Sequence, residues 1–274
     1  MKRTNHLHST EMPFAEHDGT SIYYETDGSS KHDTVAFVGD VAYGAWQWGW
    51  QHAAIAGPFE SLVWDHRGTG ESDAPDGPSS VAEMAGDLDA VLADHGVRKA
   101  HLVGAGLGGM VALHYAKEFS RAKTLTLIGT AANGSSLAPD VRDRLLAEKT
   151  PDALHESLRP AVSEAAFAAG LEDVVEWRLA DDASLSAQRA QFAALEAFDV
   201  SDELYEITTP ATVCHGTDDR VIPVEAGKEL ADGLPRGELV TFEDAPHLVH
   251  VEHSKAVNDT LLDFLARHAD ETFD

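Results

Sequence analysis

A single cysteine, Cys214, rules out an intrachain disulfide and suits a reducing cytosol. No apolar run approaches the roughly 20 residues that a membrane-spanning helix needs. Residues 1–10, MKRTNHLHST, lack the apolar core of a secretory signal and read as a flexible leader. A cytoplasmic protein is therefore expected. Bases are scarce: 20 lysines and arginines face 47 aspartates and glutamates, for a formal net charge of -27. A surface this negative repels phosphate backbones and anionic membranes, so neither nucleic acid nor membrane is an expected partner. The acids are spread along the chain, so an acidic tail is not the cause. No internal repeat and no low-complexity stretch is present.

The 274 residues are 43% hydrophobic, enough for one large α/β domain carrying an inserted lid. Glu11 to His17 and Thr20 to Thr26 flank Asp18-Gly19, a hairpin signal. Thr34 to Val38 and Leu62 to Trp64 are apolar runs of the buried-strand type. Trp46 to Ala56 reads as a helix. Ser80 and Glu83 form a capping box, with Met84, Leu88, Val91 and Leu92 at helical spacing behind it and Gly96 as the stop. Thr124 to Ile128 is another strand. Strands alternating with helices predict a mostly parallel sheet covered on both faces, with ligands at the carboxyl ends of the strands. The loops after Val38, Trp64 and Val103 should then converge. From Asn133 to about Ser201 no strand is evident, and Pro139, Pro151 and Pro160 break an Ala-, Glu- and Leu-rich stretch into three or four helices. Alternation resumes with Ala211 to Cys214, a helix from Val224, a strand at Glu238 to Phe242 and a helix from Ala256 to His268. The expected organisation is a core of residues 11–132 and 202–274, with a helical lid at 133–201.

Leu102 to Ala112, LVGAGLGGMVA, has the strand, corner and helix of a nucleophile elbow, G-x-S-x-G. Gly104 and Gly108 keep the spacing. The middle position, where a hydroxyl belongs, is Gly106. Two later loops, each directly after a strand, carry Asp219 and His247. A hydrolase of this kind needs a base to take the nucleophile's proton and a carboxylate to orient that base, in the chain order nucleophile, acid, histidine. Asp219 and His247 fall in that order, with Asp218 as the fallback acid.

Together with the turn Asp65-His66-Arg67-Gly68-Thr69-Gly70-Glu71-Ser72, Asp219 four residues before Pro223, and Glu252 five after His247, these features resemble the α/β-hydrolase fold. The likeness is to its enol-lactonase, esterase and haloperoxidase-like group, and it runs from the Asp18-Gly19 hairpin to the last helix. It implies Asp219 as triad acid, His247 as triad base, and backbone N–H groups of Leu107 and Val41 as oxyanion donors. The chain departs from the pattern at two places. Gly106 stands in the serine's place, a loss worth on the order of a million-fold in turnover for a serine enzyme. Gly39-Asp40 stands where the group has His-Gly, and a carboxylate there works against a developing oxyanion. The acidic composition resembles that of proteins from salt-loving archaea, an ordinary acidic enzyme being the plainer alternative.

Several plainer readings stand beside these. Glycine at 106 relieves an elbow conformation that costs other residues roughly 1 to 3 kcal/mol. Gly104, Gly106 and Gly109 also fit a dinucleotide fingerprint, but Thr130, Ala131 and Ala132 stand where its acidic residue belongs, so no cofactor is expected. His250 and His253 lack companion ligands, so no metal is expected. Asp40 alone would be a solvated loop acid, Arg67 a structural ion-pair residue and Cys214 a packing residue. Trp46 is the candidate pocket wall, with Trp48 and Trp50 beside it. Trp177, Phe192 and Phe198 are expected to face the site from the lid. Three functions stay open. One is a hydrolase of the ester or lactone lineage using a His247-Asp219 base pair on a small carbonyl substrate. The others are a non-catalytic binder of a small apolar ligand, and a serine hydrolase carrying an engineered Ser-to-Gly change at Gly106.

Overall fold

In a computed structural model, which describes residues 13–74 and 77–269, the chain forms one eight-stranded sheet. Residues 1–10, read as a leader, and Glu11, the expected start of the first strand, lie outside the described residues. The strands are β1 (Phe14–His17), β2 (Thr20–Asp27), β3 (Thr34–Val38), β4 (Glu60–Trp64), β5 (Ala100–Ala105), β6 (Ala122–Ile128), β7 (Ala211–Gly216) and β8 (Gly237–Phe242). Their order across the sheet is β1-β2-β4-β3-β5-β6-β7-β8. The pairs made by β2 are antiparallel, and the remaining ladders, from β4 to β8, are parallel. The β1–β2 hairpin turns on Asp18 and Gly19, with φ of 49° and 78°; this left-handed pair matches the right-handed twist of the strands.

β3, β4, β5 and β7 are buried along their whole length, as crossover helices require, whereas the edge strand β8 is mostly part-exposed. Alternate residues go to opposite sides. Ala36, Val38, Leu62 and Leu102 pack with the helices Val81–Asp94 and Leu107–Glu118. Val35, Phe37, Val63 and Val103 pack with Ile55, Val257, Leu261 and Leu265 from the helices Gly49–Ile55 and Ser254–Ala266. Ser80 caps its helix through an N–H···Oγ bond from Glu83, 3.2 Å.

Between β6 and β7 lie five α-helices: Val141–Leu145, Pro151–Ser157, Glu164–Ala169, Glu172–Asp181 and Leu185–Ala197. That is more than the three or four expected. The prolines mark only some of the breaks. Gly170, with φ of 87°, parts the third helix from the fourth, and Asp140, with φ of 60°, turns the chain into the first. The ends of the excursion are tied together where Gly134 N–H donates to Phe198 O, 2.8 Å. Among the described residues no helix is long and apolar enough to cross a membrane.

Candidate active site

Four strands deliver the site. β3 ends in Gly39-Asp40, β5 in the Gly106 corner, β7 in the loop with Asp219 and β8 in the loop with His247. Gly106 has φ of 48° and ψ of -115°, a region that favours glycine. Its N–H donates to Ile128 O at 3.0 Å. Its carbonyl accepts from Thr130 Oγ1 at 2.6 Å. The corner also lies hard against β3: a Cβ at Gly108 would meet Val38 O at 2.0 Å.

Asp40 is not a solvated loop acid. It is 3% exposed and faces the corner. Its Oδ1 accepts from Val41 N–H at 2.7 Å and from Leu107 N–H at 2.9 Å. Those are the two donors expected to hold an oxyanion. Leu107 opens a twelve-residue helix, whose N-terminal partial charge also favours an anion. Asp40 Oδ2 lies 3.0 Å from His247 Nε2. The expected conflict between Asp40 and an oxyanion therefore takes a specific form: the carboxylate itself sits on the donors.

On its other side His247 Nδ1 is 2.8 Å from Asp219 Oδ2. Asp219 Oδ1 accepts from Val221 and Ile222 N–H at 2.8 and 2.9 Å. Burial alone would lower the affinity of His247 for its proton. The charge and hydrogen bond of Asp219, and then those of Asp40, outweigh it and push the pKa up to about 10. Burial likewise works against the Asp219 anion, but the His247 charge and the hydrogen bonds from His215 and His247 hold its carboxyl far below the usual range. The site is thus an imidazolium between two carboxylates, with both ring N–H groups donating.

A cavity of about 10 Å³ borders this group, lined by Asp40, Val41, Ala42, Tyr43, Leu145 and His247. That is room for about one water. Leu145 comes from the helical excursion. Tyr43 Oη is buried without a hydrogen-bond partner, and burial, foremost, raises its pKa, so it stays a donor. Ala42 holds a φ of 71°, a left-handed strain for a residue with a Cβ. The excursion fixes it: Gln191 Oε1 accepts from Ala42 N–H at 2.8 Å, and Ala42 O accepts from Ala183 N–H at 2.9 Å. Asp182 Oδ1 accepts from Gly44 N–H and Trp46 Nε1–H at 3.1 and 2.8 Å. Arg178 pairs with Asp182 at 2.6 Å and lies 4.9 Å over the Tyr43 ring.

His247, Asp219, Asp40, Gly106, Leu107 and Val41 therefore meet. Gly39 is set just behind them, its carbonyl accepting from His66 Nε2 at 2.9 Å. Trp46 does not line the cavity, because its indole N–H is spent on Asp182 and its ring packs edge-on behind Tyr43. Trp48 packs on Phe37 and His250, and Trp50 on Trp177. None of Trp177, Phe192 and Phe198 reaches the cavity. Asp218 pairs with Arg220, and Arg67 with Asp87 and Glu83. Cys214 is buried in β7. Among the described residues no three His, Cys, Asp or Glu side chains are placed to hold a metal ion. Sequence reasoning missed Tyr43, Arg178, Asp182 and Gln191. The i,i+4 spacing of Arg178 and Asp182 was the available signal.

Residues 55–254 match the family described as serine aminopeptidase, S33. The chain belongs to that family. It is 32% identical over 256 residues to a putative carbamate hydrolase, RutD, of Variovorax paradoxus, covering 90% of this chain and 96% of that one. A 2-hydroxy-6-oxo-6-phenylhexa-2,4-dienoate hydrolase of Burkholderia cepacia is 31% identical over 232 residues, covering 77% and 79%. The enol-lactonase of Burkholderia xenovorans superposes with a TM-score of 0.83 at 26% identity, covering 93% of this chain and all of the other. A hydrolase of Pseudomonas aeruginosa reaches 0.84 at 27% identity, covering 94% and 99%. The fold is that of the α/β-hydrolases, and the family relation is to hydrolases.

Proposed function

We propose that this family member is a small-molecule hydrolase that works without a serine, its reactive group being the Asp40 carboxylate backed by His247 and Asp219. One observation carries the reading: Asp40 touches, at once, the histidine that would take a nucleophile's proton and both N–H donors of an oxyanion site. In serine enzymes of this fold those receptors serve the nucleophile and the intermediate it forms. Gly106 fits the same reading. A Cβ there would lie 1.8 Å from Asp40 Oδ1, so a serine at 106 and Asp40 in its present seat exclude one another. A lone exchange of serine for glycine leaves the presence of Asp40 unexplained. The cytoplasmic setting, and the helical excursion as the lid that closes the site, are parts of the same proposal. Relatives named for a carbamate, an enol-lactone and a dienoate support a small organic substrate.

A second reading, a non-catalytic binder, draws on the small cavity and on how fully Asp40 is hydrogen-bonded. The two separate in an assay against a panel of short esters, lactones, carbamates and alkyl halides. Catalysis predicts turnover of one class, falling by roughly 10²- to 10⁴-fold in His247→Gln. No turnover anywhere, with a ligand retained unchanged by the parent and by His247→Gln alike, would establish the binder.

A further inference from the structure

The substrate class follows from which parts of the site are already occupied. An ester or lactone is activated when its carbonyl oxygen enters a pair of fixed N–H donors. Here Val41 and Leu107 N–H both point at Asp40 Oδ1, so the pair is filled by the protein's own oxygen. Displacement at a saturated carbon has no carbonyl oxygen to place. It needs an oriented nucleophile with a lone pair to give, and a donor for the departing group. Asp40 borders the cavity, and its Oδ2, unlike Oδ1, has one hydrogen bond, to His247. Tyr43, whose buried hydroxyl has no partner, lines the same cavity.

We infer that Asp40 is a covalent nucleophile for small uncharged alkyl halides, forming an ester through its own Oδ2. The inference rests on the reading that Asp40 is the reactive group. In the first step an Oδ2 lone pair forms the oxygen–carbon bond, and the carbon–halogen pair leaves as halide. Halide takes no proton, which suits a lining whose one free donor, Tyr43, is a phenol. The filled donor pair then acquires a purpose. Once Oδ2 is alkylated, Oδ1 becomes the acyl oxygen of the enzyme's own ester, already seated on two N–H groups. Alkylation also removes the negative charge beside His247 Nε2, which sheds its proton to solvent. Water then attacks Cγ, giving one proton to Nε2 and placing negative charge on Oδ1. Collapse breaks the bond between Cγ and the alkylated oxygen, and the alkoxide takes the proton from Nε2. The remaining carboxylic acid returns its proton to His247. The sum is alkyl halide plus water to alcohol, halide and one proton.

Substrate size and charge follow from the lining. Val41, Ala42 and Leu145 are apolar, and the Asp40 carboxylate in the lining disfavours an anionic substrate. Leu145 must move to admit even a short alkyl chain, because the cavity as it stands holds about one water.

The test uses the full chain and n-butyl bromide. Bromide release is expected, at least about a hundredfold slower in Asp40→Asn. With protein in excess over substrate in heavy-oxygen water, the first butanol formed should carry ordinary oxygen, and the peptide containing Asp40 should gain the heavy isotope. His247→Gln should accumulate a butyl ester on that peptide, read by mass. Heavy oxygen in the first butanol, with Asp40 unlabelled, would overturn the covalent step and leave Asp40 as a base. No bromide from the parent, alongside Asp40-dependent hydrolysis of an ester, lactone or carbamate, would overturn the substrate class while the broader reading stands. Absence of any Asp40-dependent turnover would overturn both.

Discussion

Asp40 and Gly106 share one space. Replacing Gly106 with serine puts a Cβ on top of Asp40 Oδ1 and a side chain on a φ of 48°. The conformation alone costs roughly 1 to 3 kcal/mol. Gly106→Ser should therefore melt several degrees lower and gain no esterase activity, whereas Asp40→Gly combined with Gly106→Ser should recover part of the loss. A single variant as stable as its parent would show that the two positions are not coupled. His247 makes a second test. Its pKa, about 10 in the folded chain, lies above the ordinary 6.5. Its contribution to stability is therefore complete below about pH 6.5 and is lost as pH rises through 10. Asp219, held low, contributes above its ordinary 3.8 and loses that only as pH falls through its folded value. Chemical denaturation should show the parent losing on the order of a few kcal/mol between neutrality and pH 10. His247→Gln should show a shallower fall, and equal slopes would sink the buried imidazolium. Asp219 and His247 were legible in the sequence because each follows a strand in the fold's chain order. The seat of Asp40 was not, since Leu107 and His247, which hold it together with the adjacent Val41, come from two distant segments.

At the scale of elements, the helical excursion holds the loop that carries Asp40. Gln191 and Ala183 fix Ala42, and Asp182 fixes Gly44 and Trp46. Burial pushes the Asp182 carboxyl up even beside Arg178, so losing Arg178 leaves a carboxylate with little to offset its desolvation. Arg178→Ala should cost about 3 to 5 kcal/mol, with a lower melting temperature and slower turnover together. A stable variant with unchanged rates would detach the excursion from the site. The strands and their order were readable because Val35, Phe37, Leu102 and Val103 repeat an apolar pattern that only a doubly covered sheet buries. The excursion was readable as helical but not in its number of helices. Its breaks at Asp140 and Gly170 are left-handed backbone turns, which apolar periodicity does not report. Asp40, Val41 and His247 were foreseen at the cavity, but the excursion's share of the lining was hidden: Leu145, unremarkable in sequence, lines it while Phe192 and Phe198 do not.

For the whole molecule, a net charge of -27 means mutual repulsion over the surface. With 47 acids to 20 bases, the acids cannot be neutralised one for one. Raising potassium chloride from about 0.1 M to about 1 M shortens the screening length from about 10 Å to about 3 Å. The melting temperature should rise over that range, and a flat or falling curve would contradict an acidic surface suited to concentrated salt. The site itself is buried and should respond little to salt in its hydrogen bonds. The central claim, that Asp40 carries the chemistry, is tested most directly by initial rates of the parent and of Asp40→Asn on the same substrate panel. The amide keeps an oxygen for Val41 and Leu107 but removes the nucleophilic charge. The account predicts a fall of at least about 10²-fold with the fold intact. An asparagine variant as fast as the parent, or faster, would make Asp40 a plug in a site whose chemistry lies elsewhere.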